Sequence, residues 1–301
     1  MTWQFTLTGL LLGSIVGLTG VGGGSLMTPI LVIIFGFKPT YAVGTDLFHG
    51  AIFKTFGAIR HRRLGTVHAH LTLWMFAGSG PLSIAGVGAA YLLQHHFSNA
   101  QTLEGYAVGA ALMAGGTGFL ARSFIKGGMQ GSERPFIMNR RDKLIAFTIG
   151  AVFGFVVGLT SVGSGTFFGL VMVFVYPLTM PRIVGTDIFH AAALLWVAGV
   201  GHLIAGDVDL HATAWLLTGS VPGILVSSRY TVRLPEVVLR AGLGGILVLS
   251  GLKLLDVPEA NWILGGGLGA LAVGLTAYTV ADRLGATRAT LEPKPRTQAG
   301  G

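Results

Sequence analysis

The sequence predicts an all-α integral membrane protein built from two inverted repeats. Of its 301 residues, 51% are hydrophobic and 11% are charged, whereas soluble domains carry roughly 25% charged residues. The chain also contains nearly the same sequence twice. Residues 43–51 (VGTDLFHGA) return as residues 184–192 (VGTDIFHAA), an offset of 141 positions. Such a duplication within apolar sequence predicts a polytopic protein made of two related halves.

Seven apolar segments are long enough to cross a hydrocarbon core of about 30 Å, which takes about 20 residues. They lie near residues 40–60, 68–94, 102–124, 181–205, 210–230, 236–255 and 260–281. Two further segments, 5–37 and 145–176, are too long for one simple helix, and a glycine-rich stretch interrupts each. We therefore expect about seven full spans and two re-entrant helix hairpins, so that each repeat has four elements.

The basic residues predict which loops face the cytoplasm. Of the 20 Lys and Arg residues, 17 fall in clusters around residues 60–63, 122–143, 182, 229–240 and 283–296. If both glycine-broken segments re-enter, every cluster lies on the cytoplasmic side. The decisive comparison is between equivalent loops, since 60–63 is basic and 201–209 carries two aspartates. Copies that face opposite ways need this asymmetry, although long or tilted helices leave full crossing open for the broken segments.

These patterns divide the chain into five parts. They are repeat 1 (1–124), a basic cytoplasmic linker (125–143), repeat 2 (144–256), an additional C-terminal transmembrane helix (257–281) and a polar tail (282–301).

The glycine-rich breaks are the first candidate site. Residues 17–25 (GLTGVGGGS) return as 158–166 (GLTSVGSGT). Unwound backbone at membrane depth must be buried or line a cavity, and a helix N-terminus favours an anion. The alternative is that glycines serve only close helix packing. The predicted substrate-binding residues of the breaks are Gly20, Gly22, Gly23, Gly24, Ser25, Ser161, Gly163, Ser164, Gly165 and Thr166.

Ionisable residues inside the spans are the second candidate. Asp46 and Asp187 each follow Gly-Thr, and His49 and His190 lie three residues on, on the same helix face. Each such residue costs about 2.5–3.5 kcal/mol or more at mid-bilayer, which favours a functional role in coupling or gating. The alternatives are that each aspartate caps a helix start and that each neutral imidazole is a hydrogen-bonded packing residue.

Lys54 stands midway through the span 40–60, and its repeat partner is the apolar Leu195. We predict that its ammonium group is a counter-charge for an anionic substrate; snorkelling to the basic surface is the alternative. His61 and His202 lie near the ends of their spans, where gating and headgroup-level packing are both open interpretations.

Several classes are disfavoured. The absence of cysteine excludes thiolate metal sites and disulfides. A metal site from two Asp and two His fits by residue type, but nothing requires the pairs to meet, so we expect no metal. No nucleotide-binding motif follows the glycines, so we expect no cofactor and no nucleic acid, and no convergent catalytic set indicates an enzyme.

The duplicated glycine motif with Pro29, the Val43–Asp46 stretch with Lys54, and residues 184–190 with 201–209 resemble the TauE/SafE family of sulfite and organosulfonate exporters over about residues 5–281. The resemblance implies carriage of sulfite, sulfoacetate or related C2 sulfonates across the bacterial inner membrane. Repeat 2 departs from repeat 1 by Ser for Gly at positions 161 and 164 and by lacking the lysine, which predicts a substrate site nearer repeat 1.

The sequence therefore predicts a secondary transporter that exports small sulfur-containing anions by alternating access, with the lipid bilayer as its surroundings. Two other hypotheses stay open: a proton-coupled importer of organic anions, and an anion channel. Proton coupling, substrate identity and a homodimeric state are further open points.

Overall fold

The computed structural model describes residues 2–19, 24–124, 136–165, 167–227, 236–259, 262, 265–267 and 269. All the regular structure in these ranges is helical. The helices are α1 (Thr2–Thr19), α2 (Gly24–Ile33), α3 (Pro39–Arg63), α4 (Ala69–His96), α5 (Ala100–Phe124), α6 (Arg140–Thr160), α7 (Phe167–Val175), α8 (Met180–Ala205), α9 (Leu210–Ser227) and α10 (Glu236–Leu254).

The helix order follows the sequence repeat, because α1–α5 correspond to α6–α10 in turn. Some predicted boundaries differ. The helix α6 begins at Arg140 because Asn139 and Asp142 form a capping box, so the last four residues of the predicted linker are helical. The rest of that linker, most of the predicted C-terminal helix and the polar tail lie outside the described residues.

One sequence interpretation was wrong. Asp46 and Asp187 do not begin helices, since α3 begins at Pro39 and α8 at Met180, about two turns earlier. A proline stands in the first turn of each helix, where its missing N–H costs nothing. Both aspartates therefore lie in helix interiors, where no backbone N–H is available for a carboxylate to cap.

The two glycine-broken segments fold as helix hairpins. The rings of Phe5 in α1 and Phe35 just after α2 stack with centroids 4.5 Å apart. At the equivalent place in repeat 2, the Tyr176 hydroxyl just after α7 donates to the carbonyl of Asp142 in α6, at 3.0 Å. In each hairpin, therefore, the chain returns to the level at which it started.

Helices of each repeat pack against helices of the other repeat. The helix α4 packs along α6, and its counterpart α9 packs along α1, while α3 packs against its own counterpart α8. The α3–α8 contact is antiparallel, because Gly50 faces Leu195 and Gly57 faces Ile188. Each repeat thus packs against the other through equivalent helices.

Glycines allow the exchanged helices to approach closely. A Cβ atom on Gly13 of α1 would collide with the backbone of Ser220 in α9, and one on Gly154 of α6 would collide with the backbone of Ser79 in α4. These two contacts are equivalent under the repeat. They are the small-residue packing by which membrane helices associate.

The two ends of the bundle differ in charge. At one end, Arg62 lies over the ring of Phe189, 5.9 Å from its centroid, and the His68 imidazole contacts the Phe136 carbonyl near the start of α6. The basic ends of α3 and α6 therefore lie together. The other end carries the buried acidic side chains of Glu104 and Asp207.

In the described part of the chain, four helices are long and apolar enough to cross a membrane: α4, α6, α8 from Pro181 onward, and α9. Shorter apolar stretches, Thr2–Val16 and Gly242–Leu254, also occur. The chain is thus a multi-pass helical protein, and the predicted total of seven spans stays a prediction.

Close packing makes a prediction for two neighbouring glycines of α4. A Cβ on Gly86 would meet the Phe155 carbonyl oxygen of α6, whereas one on Gly88 would meet nothing within 4 Å. We expect Gly86→Ala to destabilise the purified protein by about 1–3 kcal/mol, because α4 and α6 must separate. Gly88→Ala is the matched control and should be neutral or slightly stabilising. Equal thermal unfolding midpoints for the two variants would contradict the packing.

Candidate functional site

The break of repeat 2 brings unwound backbone into the interior. The helix α6 ends at Ser161, whose φ of 59° is left-handed, and Gly163 has a φ of 116°. Residues 161–165 are all buried. The helix α7 then begins at Phe167, so its N-terminal amides lie next to this unwound segment. The equivalent break of repeat 1, with Gly20, Gly22 and Gly23, lies outside the described residues, as does Thr166, while Gly24 and Ser25 form the first turn of α2.

Lys54 lies against this break. Its ammonium group donates to the Ser164 carbonyl at 2.7 Å and to the Ser164 hydroxyl at 3.1 Å. The residue is 1% exposed, so the side chain points into the protein rather than towards a surface. An ammonium group has three donors, and Ser164 takes two of them. One N–H therefore remains for another acceptor.

Asp46 connects three segments of the chain. One of its oxygens, Oδ2, accepts from the hydroxyl of Thr28 in α2 and from that of Ser161 in the break, both at 2.8 Å. The two hydroxyls also lie 2.5 Å apart. Because Asp46 belongs to α3, the carboxylate joins hairpin α1–α2, hairpin α6–α7 and the helix α3.

Asp187, the repeat partner of Asp46, has a different environment. It is 3% exposed, and its Oδ1 has no hydrogen-bond partner among the described residues. The positions equivalent to Thr28 and Ser161 are Gly169 and Gly20, and neither can supply a hydroxyl. Lys54 interacts electrostatically with both carboxylates.

The two histidines of the repeated motif make matched contacts. The Nε2 of His49 lies 2.8 Å from the Ser220 hydroxyl, and that of His190 lies 2.9 Å from the Ser79 hydroxyl. Each Nδ1 is buried and has no hydrogen-bond partner in the described part of the chain. Each pair links a central helix of one repeat to a helix of the other.

His202 and His61 lie apart from this centre, at opposite ends of the bundle. His202 is fully buried; its Nε2 donates to the Gly158 carbonyl at 2.9 Å, and its Nδ1 faces Asp207 at 3.4 Å. His61 is partly buried, with Nδ1 3.0 Å from the Thr66 hydroxyl. Thr66 is the repeat partner of Asp207. Each histidine therefore contacts the equivalent side chain, which is a hydroxyl in repeat 1 and a carboxylate in repeat 2.

The structure thus joins Lys54, Ser161, Ser164 and Asp46 in one buried centre, with Asp187 in electrostatic contact. Sequence analysis missed Thr28, Ser79 and Ser220. The two serines stand in a repeated Gly-Ser-x-Pro motif at 78–81 and 219–222, which was the available signal. Thr28 gave none, because its repeat partner is a glycine.

Comparisons with known proteins identify the family of the chain. The family model described as "Sulfite exporter TauE/SafE" matches residues 5–254. Among curated proteins of Bacillus subtilis (strain 168), "Probable membrane transporter protein YjnA" is 35% identical over 255 residues, covering 85% of this chain and 100% of that protein. "Probable membrane transporter protein YdhB" is 26% identical over 249 residues, covering 81% and 96%. No solved structure matches the chain significantly.

The hydroxyl partners of Asp46 make a stability prediction. Thr28→Val keeps the shape of the side chain but leaves a buried carboxylate oxygen with one donor fewer. We expect a loss of about 1–3 kcal/mol in the free energy of unfolding. Thr148→Val is the control, since that exposed hydroxyl bonds only within its own helix, and it should change stability by less than about 0.5 kcal/mol. A Thr28→Val protein as stable as the control would show that Asp46 does not depend on this bond.

Proposed function

Because the chain belongs to the TauE/SafE sulfite exporter family of membrane transporters, we propose that it is a secondary carrier of small sulfur-containing anions. The substrates are sulfite, sulfoacetate or similar C2 sulfonates, and the direction is export across the inner membrane. The observation that carries this proposal is the burial of Lys54 against the break of repeat 2. An ammonium group with a remaining donor, beside unwound backbone, is a binding partner for an oxyanion.

Three features around Lys54 support an anion site. The Ser161 and Ser164 side chains are buried in the break, and the first turn of α7 follows directly. A helix N-terminus carries roughly half a positive charge, which stabilises an anion placed there. Charged groups at membrane depth are costly, so a lysine retained at this depth needs an anionic partner during its working cycle.

Inverted repeats supply the conformational change in this proposal. Equivalent helices that pack antiparallel, as α3 and α8 do, face opposite sides if both cross the bilayer. The two hairpins then enter from opposite sides, and rocking of one repeat against the other exposes the site alternately. Export of an anion from the cytoplasm gains about 2.3 kcal/mol per charge per 100 mV of inside-negative potential.

The inverted arrangement predicts the labelling of two repeat-equivalent positions. Arg63 and Ile204 are both exposed and lie in the last turns of α3 and α8, respectively. The natural chain has no cysteine, so Arg63→Cys and Ile204→Cys are each the single thiol of their variant. We expect a membrane-impermeant maleimide to label the first only from the cytoplasmic side and the second only from the opposite side. Labelling of both from one side would exclude inversion.

The role of Lys54 predicts a loss of anion binding. In Lys54→Met, we expect the affinity for sulfite or sulfonates to fall at least tenfold, about 1.4 kcal/mol, because the buried positive charge is gone. Lys38→Met is the matched control, since Lys38 is exposed and precedes α3. The shift of the thermal unfolding midpoint by each anion measures binding, as a ligand at 100 times its Kd adds about 2.7 kcal/mol. Unchanged affinity in Lys54→Met would contradict the assignment.

Flux measurements separate this function from its two alternatives. A carrier in proteoliposomes shows saturable uptake and accelerated exchange against internal substrate. Flux that does not saturate and shows no exchange would indicate a channel. Uptake driven by an imposed pH gradient, with no response to membrane potential, would indicate a proton-coupled importer.

A further inference from the structure

Asp187 is a buried carboxylate that has fewer hydrogen-bond donors among the described residues than its repeat partner Asp46, and the sequence differences between the repeats explain why. Its counterpart Asp46 accepts two hydroxyl hydrogen bonds, from Thr28 and Ser161. The positions that correspond to Thr28 and Ser161 in the repeat are Gly169 and Gly20, and a glycine has no side chain to donate. The Oδ1 atom of Asp187 has no partner among the described residues, and the residue is 3% exposed. An unpaired buried carboxylate is costly to retain unless something else supplies a donor.

Space for that donor exists beside Gly169. A Cβ atom built on Gly169 would lie 3.4 Å from Oδ2 of Asp187, an ordinary van der Waals distance. Gly169 therefore faces the carboxylate in the manner of Thr28 in repeat 1, but it contributes no atoms beyond the backbone. The position where Thr28 presents its hydroxyl to Asp46 has no side-chain occupant in repeat 2.

Asp187 and Lys54 belong to one neighbourhood. The antiparallel pairing of α3 and α8, with Gly50 opposite Leu195 and Gly57 opposite Ile188, puts Lys54 level with residue 191. That level is about one helical turn from Asp187. Lys54 also interacts electrostatically with Asp187. A small molecule that contacts Lys54 therefore lies in the same part of the interior as Asp187.

The balance of charge limits which molecule fits. With Lys54 protonated and both aspartates ionised, the centre carries a formal charge of −1. A bare divalent anion would bring this to −3 in a dry interior, where uncompensated charge is strongly unfavourable. A sulfonate with its own ammonium group has no net charge, so the total stays at −1 and a positive charge lies beside Asp187. A sulfonate with a hydroxyl group supplies a donor to Asp187 but no positive charge.

We propose that Asp187 is a second subsite that binds a hydrogen-bond donor of the substrate, while Lys54 binds its sulfur oxyanion. The preferred substrate is then a short sulfonate that carries an ammonium or hydroxyl group, rather than sulfite or a dianion. This inference rests on the proposed function, because it takes a sulfonate at Lys54 as given. It assigns the two unlike carboxylates unlike tasks, with Asp46 holding the hairpins together and Asp187 recognising the ligand.

The test compares matched ligands on the full-length protein in detergent. Ethanesulfonate, 2-hydroxyethanesulfonate and 2-aminoethanesulfonate share one sulfonate and differ only in the donor, and sulfite is added as the simplest oxyanion. We expect 2-aminoethanesulfonate to bind at least tenfold more tightly than ethanesulfonate, with 2-hydroxyethanesulfonate between them. In Asp187→Asn this preference should fall below about twofold, because an amide no longer offers the ammonium a negative partner.

A second pair of variants tests the position beside Asp187 that Gly169 leaves without a side chain. Gly169→Ser supplies a hydroxyl to Asp187, as Thr28 does to Asp46, and should lower the preference for 2-aminoethanesulfonate about tenfold with ethanesulfonate binding unchanged. Gly169→Ala adds the same Cβ without the hydroxyl, so it measures the effect of filling the space alone and should lower the preference less than Gly169→Ser does. This pair carries the test if Asp187→Asn fails to fold.

The possible outcomes distinguish a failure of the second subsite from a failure of the proposed function. If ethanesulfonate or sulfite binds as tightly as 2-aminoethanesulfonate, the second subsite is overturned while the anion carrier stands. The second subsite is also overturned if ethanesulfonate binds with uptake of one proton, since Asp187 would then hold a proton instead of the ligand. If no sulfonate and no sulfite binds the wild-type protein, the proposed function itself fails.

Discussion

The buried ammonium group of Lys54 is the interaction on which the centre of this molecule depends. A positive charge in the membrane interior is stable only with donors, acceptors and opposite charges arranged around it. Ser164 supplies two acceptors because the α6–α7 break turns both its carbonyl and its hydroxyl towards α3. Asp46 and Asp187 supply the opposite charges. The break, the central helix pair and the two aspartates thus form one electrostatic unit.

A symmetric framework holds this asymmetric centre. The His49–Ser220 and His190–Ser79 contacts, and the glycine contacts between α1 and α9 and between α6 and α4, occur in both copies. Among the positions at which the copies differ, three face the centre. Lys54 of repeat 1 corresponds to Leu195 of repeat 2, and Thr28 corresponds to Gly169. Ser161 of repeat 2 corresponds to Gly20 of repeat 1. Duplication explains the scaffold, and these substitutions let one half bind what the other half does not.

The repeat made much of this predictable from sequence. An unslipped offset located the hairpins and both motif histidines, because a repeated apolar pattern must fold twice in the same way. The interior position of the aspartates was not predictable, because Gly-Thr-Asp is a typical helix start and the prolines two turns earlier outweigh it. Thr28 was equally hidden, since its importance comes from contacts with residues 18 and 133 positions away. Where repeats differ, self-comparison marks the position but not its partner.

The unequal hydrogen bonding of the two aspartates also affects how one repeat can rock against the other. Asp46 holds Thr28 of one hairpin and Ser161 of the other on a single oxygen, so separating the hairpins there breaks two charge-assisted hydrogen bonds. Such bonds are roughly twice as strong as neutral ones. The positions that correspond to Thr28 and Ser161 are Gly169 and Gly20, so repeat 2 cannot form the same pair of side-chain hydrogen bonds. A rocking motion would therefore pivot near Asp46 and open near Asp187, and a ligand bound between Lys54 and Asp187 would replace the missing tie and close the gap. In this arrangement the substrate itself completes the symmetry that the sequence lacks, which gives a carrier a physical reason to change shape only when loaded.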